Sequence, residues 1–387
     1  MKIPQEVLWT RTLGICLAHD QLWYSPMAFN GIFRADPHTG KTKPVFEFGD
    51  VDGKYTGLSF SYVLQFGDYL YFCPYMANCI CEVSYMDGNM KFYYSDYISA
   101  PHVSNAVCVQ DKIYMFCNKQ FQIIVFDLVT KEISAIQNEY FIECFAKGNY
   151  AKKDVVYNAA SFCIADDQKI IRLDIQSQEV FDYDLSQYTA GKTITTISFS
   201  MGRFWIMCDD SEIIGWKENE EAVQIYKVPK LGQAVHSIIN GENLYIFFAD
   251  SNKVLIFNLI KKKISIVEIN RGYCCDQGEK VFFFPFTDTD NKKGVYIYTF
   301  IEHKIVYLEA GGNVSYIELH IDQEDAACKK IYTNYLQKIF YPVKGVVQEQ
   351  NDLFYYSLES YLSGVIGDLN NNESFEGNIG EKLYVSI

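Results

Sequence analysis

Six histidines are all the imidazole this chain offers to acid–base or metal chemistry: His19, His38, His102, His236, His303 and His320. None stands at His-x3-His or His-Glu-x2-His spacing, so the local sequence supports no metal site and none is expected. His102 and His236 matter most. Pro101-His102-Val103-Ser104-Asn105 and Ala234-Val235-His236-Ser237 read as the starts of strands that would aim both rings towards a shared central pocket. With carboxylates beside it, either ring could serve as the base of a hydrolase or lyase acting on a carbohydrate or peptide. Asp288-Thr289-Asp290-Asn291-Lys292-Lys293-Gly294 begins like a calcium loop, but Lys293 falls where the turn requires glycine, so a hairpin loop is expected. Asp50-Val51-Asp52-Gly53 gathers carboxylates beside Lys54 and Tyr55 and reads as a turn. The sequence has no Gly-x-Ser-x-Gly elbow, phosphate-cradling glycine loop or dinucleotide fingerprint, and no cofactor is expected.

A second chemistry is stacking. Tyr55, Tyr97, Tyr150, Tyr188 and Tyr273 fall on longer connections, together with His102, His236 and Arg271. Rings interspersed with hydrogen-bonding groups suit sugars, whose apolar CH faces stack while their hydroxyls bond, and equally suit a peptide or protein partner. The ligand-binding set expected is Tyr55, His102, Asn105, Tyr188, His236, Arg271 and Tyr273.

The elements that must position these residues are strands. Short runs rich in Val, Ile, Tyr and Phe alternate with turns of Asp, Asn, Gly and Lys, and helical periodicity is nearly absent before residue 350. One unit recurs and reads as the second strand of each repeat, a turn residue followed by any residue, an aliphatic one and an aromatic one. Its copies are Asp20-Gln21-Leu22-Trp23, Asp68-Tyr69-Leu70-Tyr71, Asp111-Lys112-Ile113-Tyr114, Asp154-Val155-Val156-Tyr157, Gly202-Arg203-Phe204-Trp205, Glu242-Asn243-Leu244-Tyr245 and Glu279-Lys280-Val281-Phe282. The aromatic positions recur every 37 to 48 residues, close to the period of a four-stranded propeller blade. A second unit follows within the same repeat, in Ile124-Val125-Phe126-Asp127, Ile171-Arg172-Leu173-Asp174 and Leu255-Ile256-Phe257-Asn258. Continuous apolar runs such as Ile113-Tyr114-Met115-Phe116-Cys117 demand cover on both faces, which stacked blades supply and a half-solvated sandwich does not.

The fold expected is therefore all-β, a β-propeller of seven four-stranded blades, with six and eight as the neighbouring counts. Residues 1–387 read as one domain, with repeats over about 10–310 and an extension over 311–387. In that extension Leu358, Tyr361, Leu362, Val365 and Ile366 share one face of a short helix. Glu381-Lys382-Leu383-Tyr384 repeats the aromatic motif and would supply a strand joining the first and last blades. In the turn–aliphatic–aromatic strand and the Ile-x-x-Phe-Asp-like strand followed by Thr or Lys turns, the chain resembles the kelch-like and related bacterial β-propellers. The resemblance is architectural and implies the fold alone, because the paired glycines of kelch repeats and the Trp-Asp dipeptide of WD-type repeats are both missing.

Composition narrows the partners. Lys and Arg number 34 against 48 Asp and Glu, a formal charge of −14, so phosphate backbones are repelled and nucleic acid is not expected. Any ligand should be neutral or basic. The 12 cysteines sit mostly in apolar runs, without Cys-x2-Cys pairs, and read as reduced core thiols. Glu6 and Arg11 interrupt the stretch a secretory signal would need, and no apolar run approaches the ~18 residues that cross a membrane. A cytoplasmic location without membrane insertion is the expectation. The function expected is a non-catalytic binding module that recognises a glycan, peptide or protein through its long-loop face. The alternatives are a carbohydrate- or peptide-active hydrolase or lyase with an axial His and carboxylate site, and a protein-interaction scaffold.

Overall fold

In the computed structural model, alternation along each second strand decides the architecture. Leu70 and Phe72 pack with Trp23 and Ile32 of the preceding repeat, whereas Tyr71 and Cys73 pack with Ile113 and Met115 of the following one. Tyr114 and Phe116 in turn meet Phe162 and Leu173 of the next. Successive side chains of a strand point to opposite faces, so each sheet is apolar on both sides and stacks between two neighbours. Repetition of this arrangement gives a β-propeller of seven antiparallel blades.

The structure describes residues 12–328, apart from 27–30, 48–58, 100, 118–121, 147–153, 159, 210, 221–222, 250, 270–282, 287–293, 300–303 and 323–324. All lie in the compact unit Trp9–Tyr341. The inner strands of blades 1 to 7 are Thr12–Ala18, Phe60–Phe66, Val103–Val109, Val156–Asn158, Ile194–Ser200, Ala234–Asn240 and Phe283–Phe286. Each blade adds three more strands outwards in sequence order. Among the described residues no helix is long and apolar enough to cross a membrane.

Two elements depart from the sequence reading. Asp154-Val155-Val156-Tyr157 does not form a second strand: Val156–Asn158 is the inner strand of blade 4, and Ser161–Asp166 is the second. Likewise Phe283–Phe286 is the inner strand of blade 7 and Gly294–Thr299 its second strand, so the Glu279-to-Phe282 copy precedes the blade and lies outside the described residues. A helix, Glu139–Ala146, also interrupts the strands between blades 3 and 4. Asn138 Oδ1 accepts the Phe141 N–H at 3.0 Å and caps it, while Phe141, Ile142, Cys144 and Phe145 are buried against blades 3 and 4.

The third strands end in a repeated turn. Asp36, Asp127 and Asp174 each accept backbone N–H bonds from residues two and three further on, and Asn258 does the same. These bonds from the backbone hold the three aspartates below the usual carboxylate range. The residue four beyond each cap is left-handed: Gly40, Lys131, Gln178 and Lys262. At two of these positions lysine takes the place glycine would favour, because its side chain lies on the preceding blade. The Lys131 ammonium contacts Glu82 at 2.6 Å and Tyr71 Oη at 3.0 Å, above the Tyr71 and Tyr93 rings. The Lys262 ammonium lies 4.5 Å from the ring centre of Trp205 and 5.5 Å from that of Tyr226.

The ring closes at its rim. After the outer strand of blade 7, Val314–Glu318, the chain forms His320–Ile321, which pairs in parallel with Lys41 and Thr42 in the outer strand of blade 1. His320 N–H donates to Gly40 O at 3.1 Å and Asp322 N–H to Thr42 O at 3.0 Å. Ten cysteines are described, none is in a disulfide, and eight are buried. The helix expected over 357–368 and the strand expected at Glu381 to Tyr384 lie outside the described residues.

Candidate functional site

An irregularity shared by the inner strands builds the site. In blades 2, 3, 5 and 6 the pairing of the inner strand with its neighbour slips by one residue near its leading end, at Ser61, Ser104, Thr195 and Val235. Such bulges re-aim the next side chain and recur beside functional sites. The residue after each bulge is polar: Tyr62, Asn105, Thr196 and His236. All four pair with the penultimate residue of the second strand, respectively Cys73, Phe116, Met207 and Phe247, so they occupy equivalent places around the ring.

Asp154 ties blade 4 to blade 6 and, through Ser237, reaches blade 5. It enters from the start of blade 4, and its Oδ1 lies 2.7 Å from His236 Nδ1 in blade 6. Its Oδ2 accepts the Ser237 N–H at 3.1 Å and the Ser237 hydroxyl at 3.5 Å. Ser237 Oγ lies 2.8 Å from Ser198 Oγ of blade 5. An ionised carboxylate only accepts, so Nδ1 of His236 carries a proton and, in the neutral ring, Nε2 is the basic nitrogen.

Phenols complete the cluster. The Tyr62 hydroxyl donates to Ser104 O at 2.8 Å. Burial pushes its pKa well above the ordinary tyrosine value, and Tyr298 of blade 7 and Asp154 of blade 4 add to the shift. Burial likewise raises Tyr298, so both phenols stay protonated. Thr196 is 2% exposed, and its Oγ1 has no hydrogen-bond partner among the described residues.

The residues expected at the site are dispersed. His236 is central and Asn105 shares its register position. His102 sits just before the inner strand of blade 3 with φ 53°, its N–H donating to Tyr75 O at 3.0 Å and its ring 4.6 Å from the Tyr75 ring. Tyr188, in the short helix Ser186–Thr189, packs against the core between blades 4 and 5. Tyr55, Arg271 and Tyr273 lie outside the described residues. Tyr62, Asp154, Thr196, Ser198, Ser237 and Tyr298 were not anticipated. Polar residues inside otherwise apolar strands are the signal that could have found Tyr62, Thr196 and Ser198.

No protein family matches the sequence, and no curated protein is similar to it. Solved structures do resemble it. A streptogramin B lyase is 13% identical, with a TM-score of 0.50, over 78% of this chain and 93% of the lyase. Apo AztD from Citrobacter koseri is 12% identical, with a TM-score of 0.53, over 78% of this chain and 95% of AztD. At these identities the likeness is one of fold, and that fold is the propeller.

Proposed function

We propose that the protein is a binding propeller that takes a small polar ligand, a soluble glycan in the first instance, at the axial end where the inner strands begin. The observation that carries this reading is the set of register-equivalent polar residues, Tyr62, Asn105, Thr196 and His236, one from each of four blades, with Asp154 of a fifth bonded to His236. Concave sites with a few convergent polar groups on a rigid frame are where small ligands bind. The cytoplasmic location expected from the thiols belongs to the same proposal.

The test is binding of the purified protein to a panel of soluble glycans and peptides, each positive then checked by mass spectrometry for cleavage. Binding without product that is lost in Asn105→Ala and His236→Ala supports the reading. Binding that both variants retain moves the site elsewhere.

The geometry of Asp154 and His236 favours a catalytic second reading. A carboxylate on Nδ1 orients the imidazole and favours the tautomer in which Nε2 is basic, the arrangement of a general base. The lyase among the similar folds lends this an analogy and no more. Product formation abolished by His236→Ala in a folded protein would establish it; an activity that survives that substitution would dismiss it.

A further inference from the structure

The face of blade 5 that meets blade 6 carries Thr196 and Ser198 two residues apart, and therefore side by side. Their register partners, Met207 and Trp205, pack with Leu244 and Ile246 of blade 6. Within this apolar seam runs a polar string: Ser198 Oγ to Ser237 Oγ at 2.8 Å, and Ser237 to Asp154 Oδ2 through its N–H at 3.1 Å. Thr196 lies two residues before Ser198 on the same strand. Its buried hydroxyl, with no partner among the described residues, is destabilising unless something completes it. Valine would have the same shape without that cost.

We infer that a ligand completes it, and that the ligand group reaching this seam is an ammonium held between Thr196 and Asp154, which makes the ligand a hydroxylated amine of the amino-sugar type. This rests on the axial reading proposed above. The seam presents a carboxylate beside the serine and threonine oxygens. Asp154 has no ion-pair partner other than His236 among the described residues, and His236 is charged only when protonated. An anion would meet that carboxylate unshielded. A neutral hydroxyl would satisfy Thr196 and leave the carboxylate uncompensated. An ammonium brings three donors and no acceptor, matching what the seam lacks. The remaining ligand hydroxyls then face Asn105 and Tyr62.

The experiment uses ligand pairs that differ only at the amine: the di- and trisaccharides of glucosamine and of N-acetylglucosamine, measured by calorimetry at 0.15 M salt, where non-specific attraction to an acidic protein is screened. The free amines should bind about tenfold or more tightly than the acetylated forms, which corresponds to roughly 1.4 kcal/mol. Thr196→Val should lose about tenfold of that affinity while its melting temperature holds or rises, and Thr196→Ser should keep it. Asp154→Asn should remove the preference for the amine. Equal binding of both forms, preference for the acetylated forms, no binding of either, or unchanged binding by Thr196→Val would overturn the inference. If other members of the glycan panel still bind and lose affinity in Asn105→Ala, the axial reading survives that failure; if nothing depends on Asn105 or His236, both fall.

Discussion

Asp154 and His236 are 82 residues apart in the chain and 2.7 Å apart in space, the carboxylate of blade 4 reaching past blade 5 to the imidazole of blade 6. The same carboxylate accepts the Ser237 N–H, so one side chain ties the leading ends of two non-adjacent blades. Asp154→Ala would take the acceptor from three donors, the His236 Nδ1–H and the N–H and hydroxyl of Ser237, and should lower unfolding stability by about 1–3 kcal/mol, with Asp154→Asn losing less. Urea denaturation of the three proteins checks this. Equal stability of wild type and Asp154→Ala would mean that water replaces the carboxylate fully.

Glu82 gives the fold a pH dependence of known sign. Burial pushes its pKa up, but hydrogen bonds from Lys131, Tyr71 and Tyr93 and the Lys131 charge outweigh burial and hold it below its ordinary 4.5. A depressed carboxylate contributes stability that is complete above its unfolded value and lost as pH falls through its folded value. The stability difference between wild type and Glu82→Gln should thus stay constant from pH 6 to 8 and shrink below about 4.5. Tyr93, pushed up to about 12 by burial and the Glu82 charge, adds an alkaline limb. Above its ordinary 10.0 the unfolded chain ionises first, so stability should fall between pH 10 and 12.

The rim closure depends on one glycine. A Cβ on Gly40 would lie 1.9 Å from Glu318 O, at φ +71°, so Gly40→Ala must displace the strand that joins blades 7 and 1. It should cost about 2 kcal/mol or more, combining backbone strain with the lost pairing. Gly241→Ala is the control: φ is +59° there but a Cβ meets nothing within 4 Å, and the cost should be only about 1 kcal/mol. Thermal melts of the pair test the difference, and equal losses would show that the close approach is unimportant.

The thiols should be silent until the protein unfolds. Burial pushes Cys117, Cys163 and Cys208 up to about 12, and only the thiolate reacts. Iodoacetamide at pH 8 should leave these three unmodified in the native protein and alkylate them in urea. Peptide mapping by mass spectrometry reads this directly, and native labelling of Cys163 would contradict the packing between blades 4 and 5.

The blades were legible because two-sided burial writes itself into a strand as an unbroken apolar run, as in Ile113 to Cys117. The frame of blade 4 was not, since Asp154-Val155-Val156-Tyr157 imitates the second-strand motif, whereas the actual strand opens Ser161-Phe162-Cys163 without it. That imitation also hid the site: Asp154 read as a turn residue, and nothing local marks a carboxylate whose partner is 82 residues away. His236 was legible from its place at the start of a strand. Tyr62 and Thr196 stand out in the sequence only as polar residues within strands; their sharing a register with His236 depends on bulges that pairing sets.

The parallel strand His320–Ile321 lies outside blade 1 and replaces none of its strands; Thr12–Ala18, Gln21–Pro26, Gly31–Ala35 and Lys41–Glu47 form that blade from one unbroken stretch of chain. The same is true of each of the other six. Among the described residues the four antiparallel strands of each blade come from one stretch of chain, so the boundaries of the blades in space are also boundaries in the coding sequence. A single in-frame duplication or deletion of one repeat would add or remove a whole blade, and the lineage of this protein could have changed its blade number in one genetic event.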